Sequence, residues 1–458
     1  MADQKTTITF YGGVGEVTGA NFLLTDGPSD LKIVIDCGLF QGDRAFDEKN
    51  REPFPYDPKT IDYLFITHAH LDHVGRIPKL VKDGFRGVIY STAPTKEIAE
   101  IALLDSLNLF RKENGEDVEP FFNKDNLNLA MTLWQTVEYH ETVNLKEGLR
   151  VTLKDAGHIL GSTMYEFARG DHRLVFTGDL GNSPSPLLRD TEILTNTNYL
   201  VMESVYGDRN HEDRSQRRNI LEDTIEDTMR SGGTLMIPAF SIERTQEILF
   251  EIENMMEESR IPLAPVFLDS PMGIEVTAVY KKYSKFLNDE VRAEIEQGGD
   301  KIFHFPQLHE TMSTDESKAI FQANPKKIIL AGSGMSTGGR IIHHEKNYLS
   351  DPKSTLLLVG YQQVGSLGRM LQEGARTVKI LGEEIPIRAK IVSIHGYSAH
   401  KDSDHLLQFV DSTKDTIKKV FVAMGEPKSA MFLAQRLRDY LGINAKCPEA
   451  GETDEIEL

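Results

Sequence analysis

Thr67-His68-Ala69-His70-Leu71-Asp72-His73 decides the reading of this chain. Three histidines and one aspartate stand between positions 68 and 73, all of them side chains that bind metal ions. The residues leading into them, Ile61-Asp62-Tyr63-Leu64-Phe65-Ile66-Thr67, are β-branched and aromatic, as in a buried strand. Loops held by a sheet commonly carry chemistry. Two histidines at i and i+2, followed by a carboxylate and a histidine side by side, can face two neighbouring cations from one loop.

Three further metal-type residues stand at the ends of strand-like runs. Asp36 closes Ile33-Val34-Ile35-Asp36, and Asp179 follows a strand-like run in Thr177-Gly178-Asp179-Leu180-Gly181. His158 sits in Ala156-Gly157-His158-Ile159-Leu160-Gly161-Ser162, between glycines that allow close backbone approach. Each alone has an ordinary explanation, an Asp before Gly being a common turn residue. Together with residues 68–73 they form a metal-site pattern.

The composition sets the frame. At 458 residues with 40% hydrophobic content, the chain has room for two or three domains with buried cores. No apolar run is long enough to span a membrane, and the amino-terminal residues lack a signal-peptide pattern. The cysteines, Cys37 and Cys447, offer no disulfide framework and fit a cytoplasmic location. Metal would therefore rest on His, Asp and Glu, a set suited to zinc with manganese as an alternative. A formal charge of −19 argues against broad attraction to nucleic acid but not against a local basic groove. Arg209, Arg214, Arg217 and Arg218 lie among acids, so a solvated helix face and a phosphate patch both fit. The acidic residues 449–458 read as a frayed terminus.

Short strand-like runs dominate up to residue 204, at 6–11, 21–25, 32–36, 63–67, 87–91, 150–154, 173–177 and 199–203. Helical patterns at 94–112 and 124–138 fall between them. From residue 205 strands and helices alternate regularly, with strands at 233–239, 265–270, 327–330 and 354–359 and helices at 241–259, 273–287 and 340–349. That rhythm predicts a parallel α/β unit. A strand at 419–423 and a helix at 429–441 follow. With no long linker in sight, the expected organisation is 1–204 and 391–458 as one domain, with 205–390 inserted.

The combination of Asp36, His68, His70, Asp72, His73, His158 and Asp179 resembles the metallo-β-lactamase superfamily, an αββα sandwich with a one- or two-metal site. Glu203 in Met202-Glu203-Ser204 and His400 in Gly396-Tyr397-Ser398-Ala399-His400 look like motifs A and B of its beta-CASP nucleases. That group includes ribonuclease J and the nuclease subunit of the cleavage and polyadenylation specificity factor. Leu268-Asp269-Ser270-Pro271-Met272 and Ala331-Gly332-Ser333-Gly334-Met335 look like segments of its bacterial and archaeal members. The resemblance runs from about residue 11 to about residue 441. It implies an α/β fold, a sandwich with an inserted parallel-sheet beta-CASP domain, and a ribonuclease of endo- or exonucleolytic action.

By that resemblance His68, His70 and His158 bind one zinc, Asp72 and His73 a second, and Asp179 bridges them. Asp36 orients a ligand or the metal-bound water. A hydroxide formed between the cations attacks phosphorus, and His400, kept protonated by Glu203, gives the departing ribose oxygen a proton. Asp72, His400, Glu203 and Asp36 are thus the catalytic candidates, although Glu203 and His400 also suit a structural ion pair. The implied partner is single-stranded RNA, with no membrane and with a homodimer left open.

One position departs from the family pattern. Motif C usually carries a histidine before Gly-Glu, whereas Val422-Ala423-Met424-Gly425-Glu426 places Met424 there. A thioether is a poor ligand for zinc or manganese, so a weakened second site is expected, with His395 and His405 as nearby substitutes. Ser333 and Gly334, helped by Arg340, suit a phosphate nest at a helix start as well as a plain tight turn. His343 and His344 read as surface residues. Two other functions stay open: an RNA-binding or scaffold subunit with impaired catalysis, and a metallo-hydrolase of a small ester or lactam.

Overall fold

The computed structural model describes all residues except 1–4, 43, 116–119, 212–215, 299–301 and 395. The chain divides into two compact units, Met1–Asn210 with Ala399–Leu458, and His211–Ser398. The exchange points therefore lie at 210/211 and 398/399, beside the expected 204/205 and 390/391.

The first unit is built on two seven-stranded sheets. One runs in the order Thr453–Ile456, Thr6–Gly12, Asn21–Asp26, Leu31–Ile35, Tyr63–Phe65, Val88–Ser91, Trp134–Thr136. The other runs Ala445–Lys446, Lys419–Val422, Tyr199–Met202, His172–Phe176, Thr163–Arg169, Arg150–Asp155, Thr142–Asn144. Alternating side chains of the two sheets meet in one apolar core, Ile8, Phe10, Phe22, Ile33 and Phe65 facing Val151, Tyr165, Phe167, Phe176 and Phe421. The outer face of the second sheet is covered by helices Ser403–Asp411 and Pro427–Leu441, through Leu406, Val410, Leu433 and Leu437. Helices Ile77–Lys82, Ala93–Asn114 and Lys124–Leu133 belong to the chain segment of the first sheet, and the helices flank the paired sheets as expected of an αββα sandwich.

The second unit holds a six-stranded, all-parallel sheet in the order Leu308–Glu310, Val266–Asp269, Lys327–Ala331, Thr234–Pro238, Thr355–Val359, Lys390–Ile394. Its central strands Lys327–Ala331, Thr234–Pro238 and Thr355–Val359 are buried along their whole length, as parallel strands covered by helices on both faces must be.

Four sequence expectations are corrected. The acidic end is not frayed, because Thr453–Ile456 pairs antiparallel with Thr6–Gly12. Lys419 and Lys446 bind Asp454 at 2.6 and 2.7 Å while Ile456 enters the core. The helix expected over 124–138 stops at Leu133; the β-favouring Trp134 begins an edge strand and donates its indole N–H to Ser91 Oγ at 2.8 Å. Strand Thr163–Arg169, overlooked in the sequence, carries Tyr165 and Phe167 into the core. His344 is fully buried, its Nε2 2.7 Å from Asp269 Oδ2.

Glu345, beside it, is also fully buried and accepts a hydrogen bond from Ser336 Oγ. Burial pushes its carboxyl up to about 8, against the Ser336 bond that favours the charged form. The folded state thus holds this proton more tightly than the unfolded chain, whose glutamate ionises near pH 4.3. Stability is full below that pH and falls as the pH rises through about 8. Glu345→Gln removes the ionisation, and thermal denaturation should show the variant gaining on the parent by up to a few kcal/mol from pH 5 to pH 8. Parallel pH profiles of the two proteins would contradict this.

Candidate metal centre

Strand ends of both sheets in the first unit deliver the candidate residues. Asp36 follows Leu31–Ile35, Thr67–His73 follow Tyr63–Phe65, and His158 follows Arg150–Asp155. Asp179 follows His172–Phe176 and Glu203 follows Tyr199–Met202. His400 joins them through a bridge to Gly181. The backbone is tied tightly here: Cys37 N donates to His73 O at 2.8 Å and Ala20 N to Asp72 O at 3.0 Å. A Cβ on Gly38 would lie 1.5 Å from Asp72 O, so only glycine allows this approach.

Three ring nitrogens converge. His68 Nε2 and His158 Nε2 lie 3.1 and 3.3 Å from His70 Nδ1. Asp179 Oδ2 is 3.5 Å from His68 Nε2 and 3.6 Å from His158 Nε2. A tetrahedral ion with bonds of about 2.0–2.1 Å sets its donors roughly 3.3–3.4 Å apart, so the donor spacing fits zinc. The other carboxylate oxygen, Asp179 Oδ1, lies 3.5 Å from His73 Nε2, and Asp72 Oδ2 is 4.0 Å from that same nitrogen. His73 Nε2 is buried without a hydrogen-bond partner among the described residues. The two oxygens of Asp179 thus divide between two groups of candidate ligands.

The neighbours select the tautomers. Asp36 Oδ2 lies 2.7 Å from His73 Nδ1, leaving Nε2 to face inward. Asp36 in turn accepts from Thr67 N and Thr67 Oγ1, both at 2.8 Å. His68 Nδ1 contacts Thr67 Oγ1 at 3.1 Å, and His158 Nδ1 faces Ala399 O at 3.3 Å. Burial, reinforced by the neighbouring imidazoles, holds His68 and His158 well below the usual histidine range. It brings His70 down to about 4 against the pull of Asp72. These rings are neutral with lone pairs available, as metal ligation requires. For His73 burial is outweighed by Asp179, Asp36 and Asp72, which push it up to about 10. A position that binds a proton so tightly also favours a cation, and loading there must release that proton.

Glu203 is fully buried, and its Oε1 accepts from Leu180 N at 2.6 Å. The same oxygen is 3.2 Å from His400 Nδ1, while His400 Nδ1 is 4.0 Å from Asp179 Oδ2. Burial alone would favour a neutral His400 ring, but Glu203 and Asp179 push it up to about 9. The His400 side chain keeps 22% of its surface exposed, so the proton it holds stays reachable.

Other candidates are placed differently. Met424 is 1% exposed, belongs to the core between the sheets and takes a positive φ of 46°. His405 Nδ1 binds Asp402 Oδ1, the cap of its own helix, at 2.6 Å. His395 and Arg214 lie outside the described residues. Arg218 pairs with Glu258 at 2.9 Å on the surface, as the solvated-face reading expects, whereas Arg217 pairs with Glu251 at 3.4 Å with both side chains largely buried. In the inserted unit, Ser333 Oγ lies 3.0 Å from Thr337 Oγ1. Arg340 is not placed as its phosphate helper, because its guanidinium donates to Asp269 Oδ1, Thr311 O and Met312 O at 2.7–2.8 Å. Sequence reading overlooked Thr67 and Ser162, whose Oγ accepts from His158 N at 2.9 Å. Their one signal was a hydroxyl residue close in sequence to a ligand-type histidine.

This fold and cluster define a metallo-hydrolase class, and three family models match it in chain order. They are the "Metallo-beta-lactamase superfamily domain" over residues 23–206, the "Beta-Casp domain" over 245–371 and the "Zn-dependent metallo-hydrolase RNA specificity domain" over 384–448. The chain is 38% identical over 430 residues to "Ribonuclease TTHA0252" of Thermus thermophilus, covering 93% of this chain and 95% of that protein. It is 33% identical over 467 residues to "Transcription termination factor FttA" of Methanothermobacter thermautotrophicus, covering 98% and 72%. A crystal structure of a protein of unknown function from Enterococcus faecalis V583 shares the fold, with a TM-score of 0.56, 16% identity and coverage of 99% and 100%. The chain belongs to the beta-CASP ribonuclease family of the metallo-β-lactamase superfamily, and that family is metal-dependent.

Proposed function

We propose that this protein is a metal-dependent ribonuclease that hydrolyses phosphodiester bonds of single-stranded RNA. The observation that carries the reading is the convergence of His68, His70 and His158 nitrogens beside an Asp179 whose two oxygens divide between them and His73. His68, His70 and His158 would hold one ion and Asp72 and His73 a second, with Asp179 placed to contribute to both. The His-rich donor set favours zinc, with manganese the alternative. A bound ion supplies Lewis acidity and makes water a nucleophile at neutral pH.

The chain's own residues do the rest. Asp36 holds the His73 ring in its ligating tautomer, as Thr67 holds Asp36. Glu203 holds a proton on His400. As the P–O bond to the departing ribose breaks, its electron pair stays on that oxygen, and His400 donates the proton that neutralises it. Ser333 and Gly334 are retained as phosphate-binding positions, without Arg340. The names of the Thermus relative and of the RNA specificity domain support RNA as the substrate.

The test is cleavage of end-labelled single-stranded RNA by purified protein with added zinc or manganese, beside Asp72→Ala. Metal-dependent fragments absent from the control support the reading, and their pattern separates internal cutting from end trimming. A folded, metal-loaded protein that leaves RNA intact would overturn it in favour of a scaffold role. Turnover of a small ester instead would favour the ester or lactam hydrolase.

Met424 bears on the second ion. Its place in the apolar core supplies no imidazole to Asp72 and His73, so that ion should bind weakly. Met424→His should raise metal content, read by mass spectrometry after dialysis, from about one ion per chain toward two. An unchanged content would count against a weakened second site.

A further inference from the structure

The unit that carries the metal centre also holds a cavity of about 630 Å³, within the roughly 300–1,000 Å³ of small-ligand sites. Its wall combines Arg51 and Lys82 with the rings of Phe54, Tyr56 and Phe121, in a chain whose formal charge is −19. We infer that this cavity takes one nucleotide of a single-stranded RNA, its base against the aromatic wall and its phosphate facing Arg51 and Lys82. The inference rests on the ribonuclease reading, because it assigns that enzyme a second grip on its substrate.

The surroundings favour an anion with a planar group. Among the described lining residues the acid is Asp83, and Lys79 pairs with it at 2.5 Å. Lys79 Nζ also stands 4.6 Å from the centre of the Phe54 ring, and the Arg76 guanidinium 4.3 Å from it. Arg76 is 5% exposed, and among the described residues it has no ion pair. A buried cation held by ring faces rather than by a carboxylate leaves its positive potential uncancelled behind the wall. Stacking on aromatic rings within a positive groove is how proteins hold single strands without reading sequence. The cavity of about 650 Å³ in the inserted unit lacks the aromatic wall, since among the described residues no ring lines it.

The cavity is wired to the metal centre. Helix Ile77–Lys82, which carries Lys79 and Lys82, begins just past His73. Asn21 Nδ2 donates to Tyr56 Oη at 3.1 Å and to Asp36 O at 3.2 Å, and Asp36 holds His73. A nucleotide against Tyr56 therefore lies one hydrogen-bonded chain from the candidate ligands.

Fluorescence anisotropy on the full-length, metal-loaded Asp72→Ala protein with labelled single-stranded RNA of about 20 nucleotides gives the test. Lys82→Glu and Phe121→Ala should each weaken binding about tenfold, and Lys82→Glu should also lower the slope of log affinity against log salt by about one. Lys318→Glu, the same charge change at an exposed position of the inserted unit, should leave binding as it was. Photocrosslinking with 4-thiouridine RNA should mark the peptides of Tyr56 or Phe121. Unchanged binding by both cavity variants, in a protein whose Asp72 parent cleaves RNA, overturns the cavity and leaves the ribonuclease intact. A parent that neither binds nor cleaves RNA removes both. Adenosine 5′-monophosphate that binds in a Phe121-dependent way without displacing RNA would assign the cavity to a free nucleotide and overturn the strand proposal.

Discussion

Asp179→Ala should lower RNA cleavage at least about a thousandfold, since metal-ion catalysis contributes several kcal/mol and each 1.4 kcal/mol is a factor of ten. No other carboxylate among the described candidates divides its oxygens between His68 and His158 on one side and His73 on the other. Its loss should reduce metal content as well as turnover, so mass spectrometry belongs beside the kinetics. Asp179→Asn keeps the shape but removes the charge and should fall nearly as far. The side chain is almost fully buried, so circular dichroism must show that both variants fold. A folded Asp179→Ala protein that retains its metal and cleaves within tenfold of the parent would refute the bridging role.

The second large effect concerns His400. Its replacement by alanine should cost about 10²–10⁴ in kcat, the usual worth of a positioned acid. A structural ion pair would also lose stability on this change, so the decisive substrate carries sulfur in place of the departing oxygen. A thiolate leaves without a proton, and on that substrate the parent and His400→Ala should differ by less than about tenfold. An equal loss on both substrates would return Glu203 and His400 to a structural role. Glu203→Gln completes the argument. Glu203, together with Asp179 and Asp72, overcomes burial in holding the His400 proton, so removing the Glu203 charge lowers the pH at which that proton is lost. The acid acts in its protonated form, and the alkaline fall in kcat/KM should accordingly move to lower pH in the variant.

Much of the site was legible in the sequence because strands end abruptly and chemistry gathers at their ends. The run 67–73 follows a strand whose composition marks it, and Asp36, His158, Asp179 and Glu203 each sit just past such a run. The alternation after residue 205 likewise announces a parallel sheet, since βαβ units repeat both periods in order. The resemblance to the family's motif C also separated Met424 from the histidine expected in its place.

What one residue does among distant neighbours was decided only by the fold. Arg340 and His344 look like a phosphate helper and a surface residue until Asp269, some seventy positions earlier, accepts from one and lies 2.7 Å from the other. The acidic end looks unstructured until the open edge of Thr6–Gly12 takes it as a strand and lysines 419 and 446 meet Asp454. Thr67 became a positioning residue only once Asp36, thirty-one positions away, was seen to accept both its amide and its hydroxyl. By itself the sequence determined which side chains could bind metal and which segments would become strands, because residue type and spacing are local properties. Ligand distances, proton positions and the partners of buried charges come from packing between segments far apart in the chain, and only the tertiary structure sets those.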